Sequence, residues 1–344
     1  MAENDAPDTG LRAAVQDALE ARFGSGVGTA RFEKLTGGVS CDVWRVDAGA
    51  RAFCVKRALP KLKVAMEWRA PVERNAYEFR WMETARAIVP DAVPEPIHQD
   101  EAAGFIVMEF LEPSSHPLWK AELLKGRVDP EVGRRMGAIL AAIHGATARR
   151  PELKETFDTL SLFDPLRIDP YLRTTRDRHP ELRAHFDAVI HDLSTVRVAL
   201  IHGDVSPKNI LLGPKGPVIL DAECAYYGDP AFDLAFCLNH LLLKRLVVPQ
   251  AREALGETFR RLIATYLDGV AWEDAKGLER RIGATLITLF LARIDGKSPV
   301  EYVTADPQKD LVRESVAGMI RFAIGRPEEI LSYWEREHDA YLGN

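Results

Sequence analysis

Three side chains in one stretch of this chain have the types and spacing to move a phosphoryl group. The stretch reads His202-Gly203-Asp204-Val205-Ser206-Pro207-Lys208-Asn209, and Asp221 follows shortly after. In phosphoryl transfer an aspartate orients the acceptor hydroxyl and can accept its proton. An asparagine oxygen and a second aspartate hold magnesium against the nucleotide phosphates. Asp204, Asn209 and Asp221 supply that trio. A lone His-Gly-Asp would mean little, because Asp and Gly are common in turns. Here the trio is framed by apolar runs: Val198-Ala199-Leu200-Ile201 before it, Ile210-Leu211-Leu212 after Asn209, and Pro217-Val218-Ile219-Leu220 leading into Asp221. These read as buried strands that bring the three polar groups to one edge of a sheet.

Upstream, Thr36-Gly37-Gly38-Val39-Ser40 separates two strand-like runs, Arg31 to Leu35 and Cys41 to Val46, and a third, Ala52 to Lys56, ends on a lysine. A glycine turn between two strands is neither a Walker loop nor a dinucleotide fingerprint. Asp295-Gly296-Lys297-Ser298 is no Walker end either, because Leu291 stands where its first glycine belongs. Lys56 on an inward strand position needs a counterion, and the following helix offers Glu73 or Glu78. With a glycine turn before it and an acidic helix after it, Lys56 is expected to bind phosphate.

The surrounding elements follow from periodicity. Leu11, Val15, Leu19 and Phe23 mark a first helix that Gly24 can end in a left-handed cap. A helix is expected from Pro71 to about Arg86, and Pro90, Pro94 and Pro96 punctuate its exit. Gly104 to Met108 reads as a strand. Beyond Pro113 the chain is mostly helical, with Asp129 capping a helix opened by Pro130 and further helices near Glu181–Val196, Ala231–Leu246, Glu253–Asp268 and Leu278–Arg293. Trp68, Trp81, Trp119 and Trp334 are read as packing residues. The expected class is α+β: a small antiparallel-sheet lobe over residues 1–110 and a larger helical lobe over residues 111–344.

The chain has 344 residues, 47% hydrophobic and 28% charged, with a formal net charge of −6. That acidic balance argues against nucleic acid as a partner. The four cysteines form no CxxC pair, so a zinc site is not expected. The acidic start, Met1-Ala2-Glu3-Asn4-Asp5, does not read as a signal peptide. No apolar run approaches the roughly 20 residues that span a bilayer. A cytoplasmic location without a membrane partner is the expectation.

The order of glycine turn, strand lysine, helix glutamate, Met108-Glu109-Phe110-Leu111, HGDxxxxN and strand aspartate resembles the aminoglycoside phosphotransferase and choline kinase superfamily, over about Phe32 to Tyr333. Within it, Val89-Pro90-Asp91-Ala92-Val93-Pro94, Asp221-Ala222-Glu223, and Ala292-Arg293-Ile294-Asp295-Gly296 with Arg313-Glu314 are similar to the methylthioribose kinase-like branch. The chain departs from that branch at Ala292, where adjacent arginines are the pattern.

The resemblance implies the bilobal protein-kinase-like fold, with ATP and magnesium as cofactors and a small-molecule hydroxyl as acceptor. By it, Asp204 orients the acceptor, Asn209 and Asp221 bind magnesium, and Glu223 assists metal or substrate. Gly37, Gly38, Ser40 and Lys56 attend the phosphates, Glu78 is favoured over Glu73 as the Lys56 partner, and main-chain groups of Glu109, Phe110 and Leu111 hold adenine. Asp233 would tie down the catalytic-loop backbone while His202 braces the loop. Lys208 reads as an exposed loop lysine outside the site. Arg293 falls where substrate-side arginines stand, so a neutral, methylthioribose-like sugar is expected ahead of an aminoglycoside or choline-type amino alcohol. The DFG and APE phrases of protein kinases are absent. A nucleotide-binding pseudokinase is the non-enzyme alternative.

Overall fold

The structure is a computed structural model that describes residues 7–35, 41–59 and 71–343. Gly37, Gly38 and Ser40 lie outside the described residues. The chain divides into two compact units, Met1–Ser115 and His116–Asn344, where the sequence suggested a division near residue 110. None of the four cysteines forms a disulfide.

The first unit opens with helix α1 (Thr9–Phe23), capped by the Asp8 carboxylate accepting from the Leu11 N–H at 2.8 Å. Gly24 ends α1 at φ 85° and ψ 170°, so it departs with positive φ but not in the left-handed helical cap expected. Strands β1 (Arg31–Lys34), β2 (Cys41–Ala48), β3 (Arg51–Ala58), β4 (Pro96–Asp100) and β5 (Phe105–Glu109) form one antiparallel sheet in the order β1-β2-β3-β5-β4. Side chains alternate across a strand. Phe53 and Val55 of β3 join Leu11, Val15, Leu19, Trp44 and Phe105 in an apolar core, and Lys56 must face the other way.

Helix α2 (Arg74–Ile88) begins three residues later than expected from Pro71. The buried Arg74 explains this, because its guanidinium donates to the carbonyls of Leu59 at 2.8 Å and Pro71 at 2.7 Å. Strand β4 was hidden by its prolines. Pro96 opens an edge strand, where a missing N–H removes no ladder bond.

The second unit contains α3 (Trp119–Leu124), α4 (Pro130–Thr147), α5 (Pro151–Thr156), α6 (Leu160–Phe163), α7 (Thr174–Arg178), α8 (Arg183–Thr195), α9 (Ala231–Val247), α10 (Arg252–Asp268), α11 (Ala275–Asp295), α12 (Asp306–Arg321) and α13 (Pro327–Gly343). Asp129 caps α4 through the Glu131 N–H at 2.9 Å, and Pro130 takes the first turn. Nearly every residue of α9 is buried, as befits a helix that neighbours enclose on all sides.

Between α6 and α7, residues Asp164–Arg173 wind as a π-helical segment that contains Pro170. The expected single sheet edge is not what forms. Strand β6 (Ala199–Ile201) pairs with β9 (Tyr226–Gly228), while β7 (Ile210–Gly213) and β8 (Gly216–Ile219) make a separate hairpin. The phrase His202–Asn209 is the loop between β6 and β7. No helix among the described residues is long and apolar enough to cross a membrane.

Candidate active site

The loop after β6 is held by its backbone. Asp233, in the first turn of α9, accepts the His202 N–H at 2.7 Å and the Gly203 N–H at 2.8 Å. Gly203 has φ 78°, and a Cβ there would lie 2.5 Å from the Cys224 carbonyl oxygen, so glycine is required twice over. His202 spends both ring nitrogens locally: Nδ1 accepts the Asp204 N–H at 3.1 Å, and Nε2 donates to the Leu220 carbonyl at 3.0 Å. Burial lowers its pKa. It is a brace between the loop and the residue before Asp221, as the sequence suggested.

This scaffold presents Asp204, whose residue is only 3% exposed. Its Oδ2 lies 2.9 Å from Arg167 and 2.7 Å from the Lys208 ammonium. Burial alone would raise the Asp204 carboxyl, but the two cations outweigh it and hold the group below its ordinary 3.8. Arg167 is itself buried and donates to the Gly203 carbonyl at 2.6 Å, so it fixes both carboxylate and loop.

Neither cation was assigned to the site from sequence. Lys208 is half exposed, as expected of a loop lysine, but its ammonium pairs with Asp204 and so belongs to the group of residues from which the sequence left it out. Arg167 sits in the π-helical segment, and nothing local marks it. The sequence signal that existed was the lone lysine inside the HGDxxxxN spacing.

Asn209 Nδ2 donates to the Asp204 carbonyl at 3.1 Å, which leaves its amide oxygen 3.4 Å from the Lys208 ammonium. Asp221 follows Leu220, whose N–H bonds the Asn209 carbonyl at 2.8 Å. Its φ of 72° is an uncommon conformation for a residue with a side chain. The Asp221 charge acts on Asp204, Lys208 and His202. Glu223, which is buried, acts on Arg167 and, together with Asp204 and Asp221, on the Cys224 thiol.

Arg293, in the last turn of α11, does not touch this group of residues. Its guanidinium donates to the Ser298 carbonyl and lies 5.2 Å above the Tyr171 ring, so part of its donor fork fastens the loop after α11.

In the first unit, the Lys56 ammonium lies 2.7 Å from Glu78 Oε2, both buried. Glu73 is exposed at the approach to α2, so Glu78 is the partner. At the end of β5, the Glu109 N–H donates to the Glu95 carbonyl at 2.9 Å, which removes that donor from any set available to a base. Phe110 lies under the Arg45 guanidinium at 4.7 Å, and Leu111 follows it partly buried.

Residues 31–271 match the profile of the Phosphotransferase enzyme family, APH. The chain belongs to that phosphotransferase family. A methylthioribose kinase of Erwinia tasmaniensis is 26% identical over 72% of this chain and 71% of its own length. Methylthioribose kinase 2 of Oryza sativa subsp. japonica is 26% identical over 66% of this chain and 59% of its own length.

Among solved structures, an ethanolamine kinase of Plasmodium vivax superposes with a TM-score of 0.54 at 11% identity, covering 99% of this chain and 91% of that one. A choline/ethanolamine kinase family protein of Mesorhizobium loti gives 0.50 at 18% identity, covering 94% and 98%. At such identities the likeness concerns the fold, which is the α+β protein-kinase-like architecture expected.

Magnesium fits the donor set of this phosphotransferase. The Asn209 amide oxygen and the Asp221 carboxylate are hard oxygens, and an ammonium already stands beside the first of them. Among the described residues no three His, Cys, Asp or Glu side chains are grouped to hold a metal unaided. A magnesium ion here would complete its shell with phosphate oxygens and water.

Proposed function

We propose that this protein transfers the γ-phosphoryl group of ATP, with magnesium, to a hydroxyl of a small molecule that is not a cation. One observation carries the reading: Asp204, ionised by Arg167 and Lys208, stands beside the Asn209 amide within a loop whose backbone Asp233 anchors. A carboxylate so acidified is a weak base and a strong hydrogen-bond acceptor. Its role is to orient the acceptor hydroxyl for in-line attack.

The bond from the γ-phosphorus to the ADP oxygen breaks, a bond to the acceptor oxygen forms, and the hydroxyl proton passes to Asp204 and from there to solvent. Asn209 and Asp221 would hold magnesium, which would supply charge neutralisation at the phosphates. In the first unit, Lys56, oriented by Glu78, is the residue suited to a nucleotide phosphate, and the main chain at Phe110–Leu111 is suited to its base. Glu223, near Arg167, is better suited to the acceptor side than to metal. ATP as donor supports a cytoplasmic reaction.

A methylthioribose-like sugar is the favoured acceptor, supported by the names of the curated relatives. An aminoglycoside or choline would bring positive charge towards Arg167 and Lys208, and like charges disfavour it. The test is Asp204→Asn, assayed for ATP-dependent phosphorylation and for nucleotide affinity on the same preparation. Turnover should fall by roughly 100-fold or more with nucleotide affinity retained. Unchanged turnover would remove Asp204 from the chemistry and leave a nucleotide-binding pseudokinase.

A further inference from the structure

The basic side chains that this chemistry leaves unused gather along α9. Phe232, Phe236, His240 and Lys244 recur every fourth residue and so share one face of the helix. Lys244 is completely buried. Its ammonium lies 4.5 Å from the Tyr302 ring centre and 3.4 Å from the Tyr302 hydroxyl, to which His240 Nδ1 also approaches at 3.0 Å. Arg293 belongs to the same neighbourhood through its charge on Tyr302 and His240. The nearby carboxylate, Glu301, is already paired with Lys120. His240 Nε2 and Arg293 Nε are buried without a hydrogen-bond partner.

Burying cations without a counterion is costly, and each unpartnered donor adds its own desolvation penalty. A ligand that brings its own negative charge would relieve both. The position suits such a ligand. The Arg167 guanidinium that grips Asp204 lies 5.9 Å from the Phe236 ring, and that ring meets His240 at 5.7 Å and Tyr171 at 5.8 Å. The basic cluster therefore begins one side chain beyond the cations on Asp204. Tyr302, which touches both Lys244 and His240, is itself partly exposed.

We propose that Lys244, His240 and Arg293 form a subsite for an anionic group of the acceptor, a carboxylate or a phosphate, whose hydroxyl is presented to Asp204. This rests on the phosphotransferase reading and narrows it from a non-cationic acceptor to a negatively charged one. The sugar-like frame favoured above would then carry an anionic group of its own. Burial, with Lys120 next, lowers the Lys244 ammonium to about 7, and burial together with Lys244 and Arg293 lowers His240. Without an anion Lys244 thus sheds its proton near neutrality, and a bound anion would favour its charged form.

The deciding measurement is thermal melting of the full chain in sulfate against chloride at matched ionic strength. Sulfate should raise the wild-type melting temperature, more at about pH 6 than at about pH 8, because the charged cluster binds it. The shift should be lost in Lys244→Met and reduced in His240→Gln, which keeps a polar ring-sized side chain should the first variant fold poorly. Equal melting in the two salts, or a full sulfate shift in both variants, overturns the subsite.

ATP consumption is then compared for glycerol, glycerate and glycerol phosphate, and for ribose, ribonate and ribose phosphate. An anionic member should show a KM lower by roughly tenfold, and which anion wins separates carboxylate from phosphate. Preference for the neutral member in both sets also overturns the proposal. If no acceptor consumes ATP, the phosphotransferase reading fails, and the sulfate melts still decide the subsite by themselves.

Discussion

Burial and two neighbouring cations pull the Asp204 carboxyl in opposite directions. Burial, the largest influence, would keep it protonated, yet Arg167 and Lys208 together hold its pKa below 3.8. Its charge is therefore present above its ordinary titration range and is lost only as pH falls through the depressed value. The acid limb of kcat should lie below about 3.8, or be hidden by acid unfolding. Lys208→Met removes one of the two cations. We expect that variant to lose about tenfold in kcat, the equivalent of ~1.4 kcal/mol, and to show an acid limb moved upward. A pH–rate profile on both proteins checks it, and coincident profiles would return Lys208 to the role of a surface lysine.

The catalytic loop works as an element because its backbone donors have a charged acceptor. The Asp233 carboxylate takes two consecutive N–H groups, and hydrogen bonds to a charged group contribute more than neutral ones, about 1.5–3 kcal/mol. Gly203 lets the chain turn at φ 78° beneath Cys224. Gly203→Ala places a Cβ in that contact and adds roughly 1–2 kcal/mol of left-handed strain. The variant is expected to melt several degrees lower and to lose most of its turnover, because the displaced loop carries Asp204. Melting and kcat measured on one sample test this; wild-type kcat with only a lowered melting temperature would show that the loop tolerates displacement.

For the molecule as a whole, nucleotide binding should appear as added stability. A ligand at about 100 times its dissociation constant contributes ~2.7 kcal/mol. Mg-ATP should therefore raise the melting temperature more than ATP with EDTA. Asp221→Ala should erase most of that difference while leaving the magnesium-independent shift, since Lys56 and Glu78 of the first unit remain. Equal shifts with and without magnesium in the wild-type protein would remove Asp221 and Asn209 from the metal role.

What the sequence by itself determined is local. Asp204, Asn209 and Asp221 could be singled out as candidates because the chemistry proposed for them needs given residue types at short spacing between apolar strands. Helices α4, α8, α9, α10 and α11 were legible from their period, α4 from its cap as well, and Lys56 from strand alternation, whereas α12 and α13 were not read. Long-range packing decided the rest. Arg167 lies in a proline-bearing π-helical segment, and only the packed fold brings its guanidinium to Asp204. Lys208 reads as a solvated loop lysine until its end is seen to fold back. The prolines before β4 read as a break, because an edge strand is defined only by the neighbour it pairs with. His240 and Lys244 read as one more helical face. The basic cluster they form emerges only when Tyr302 meets both of them, because the make-up of a buried site is set by residues far apart in sequence.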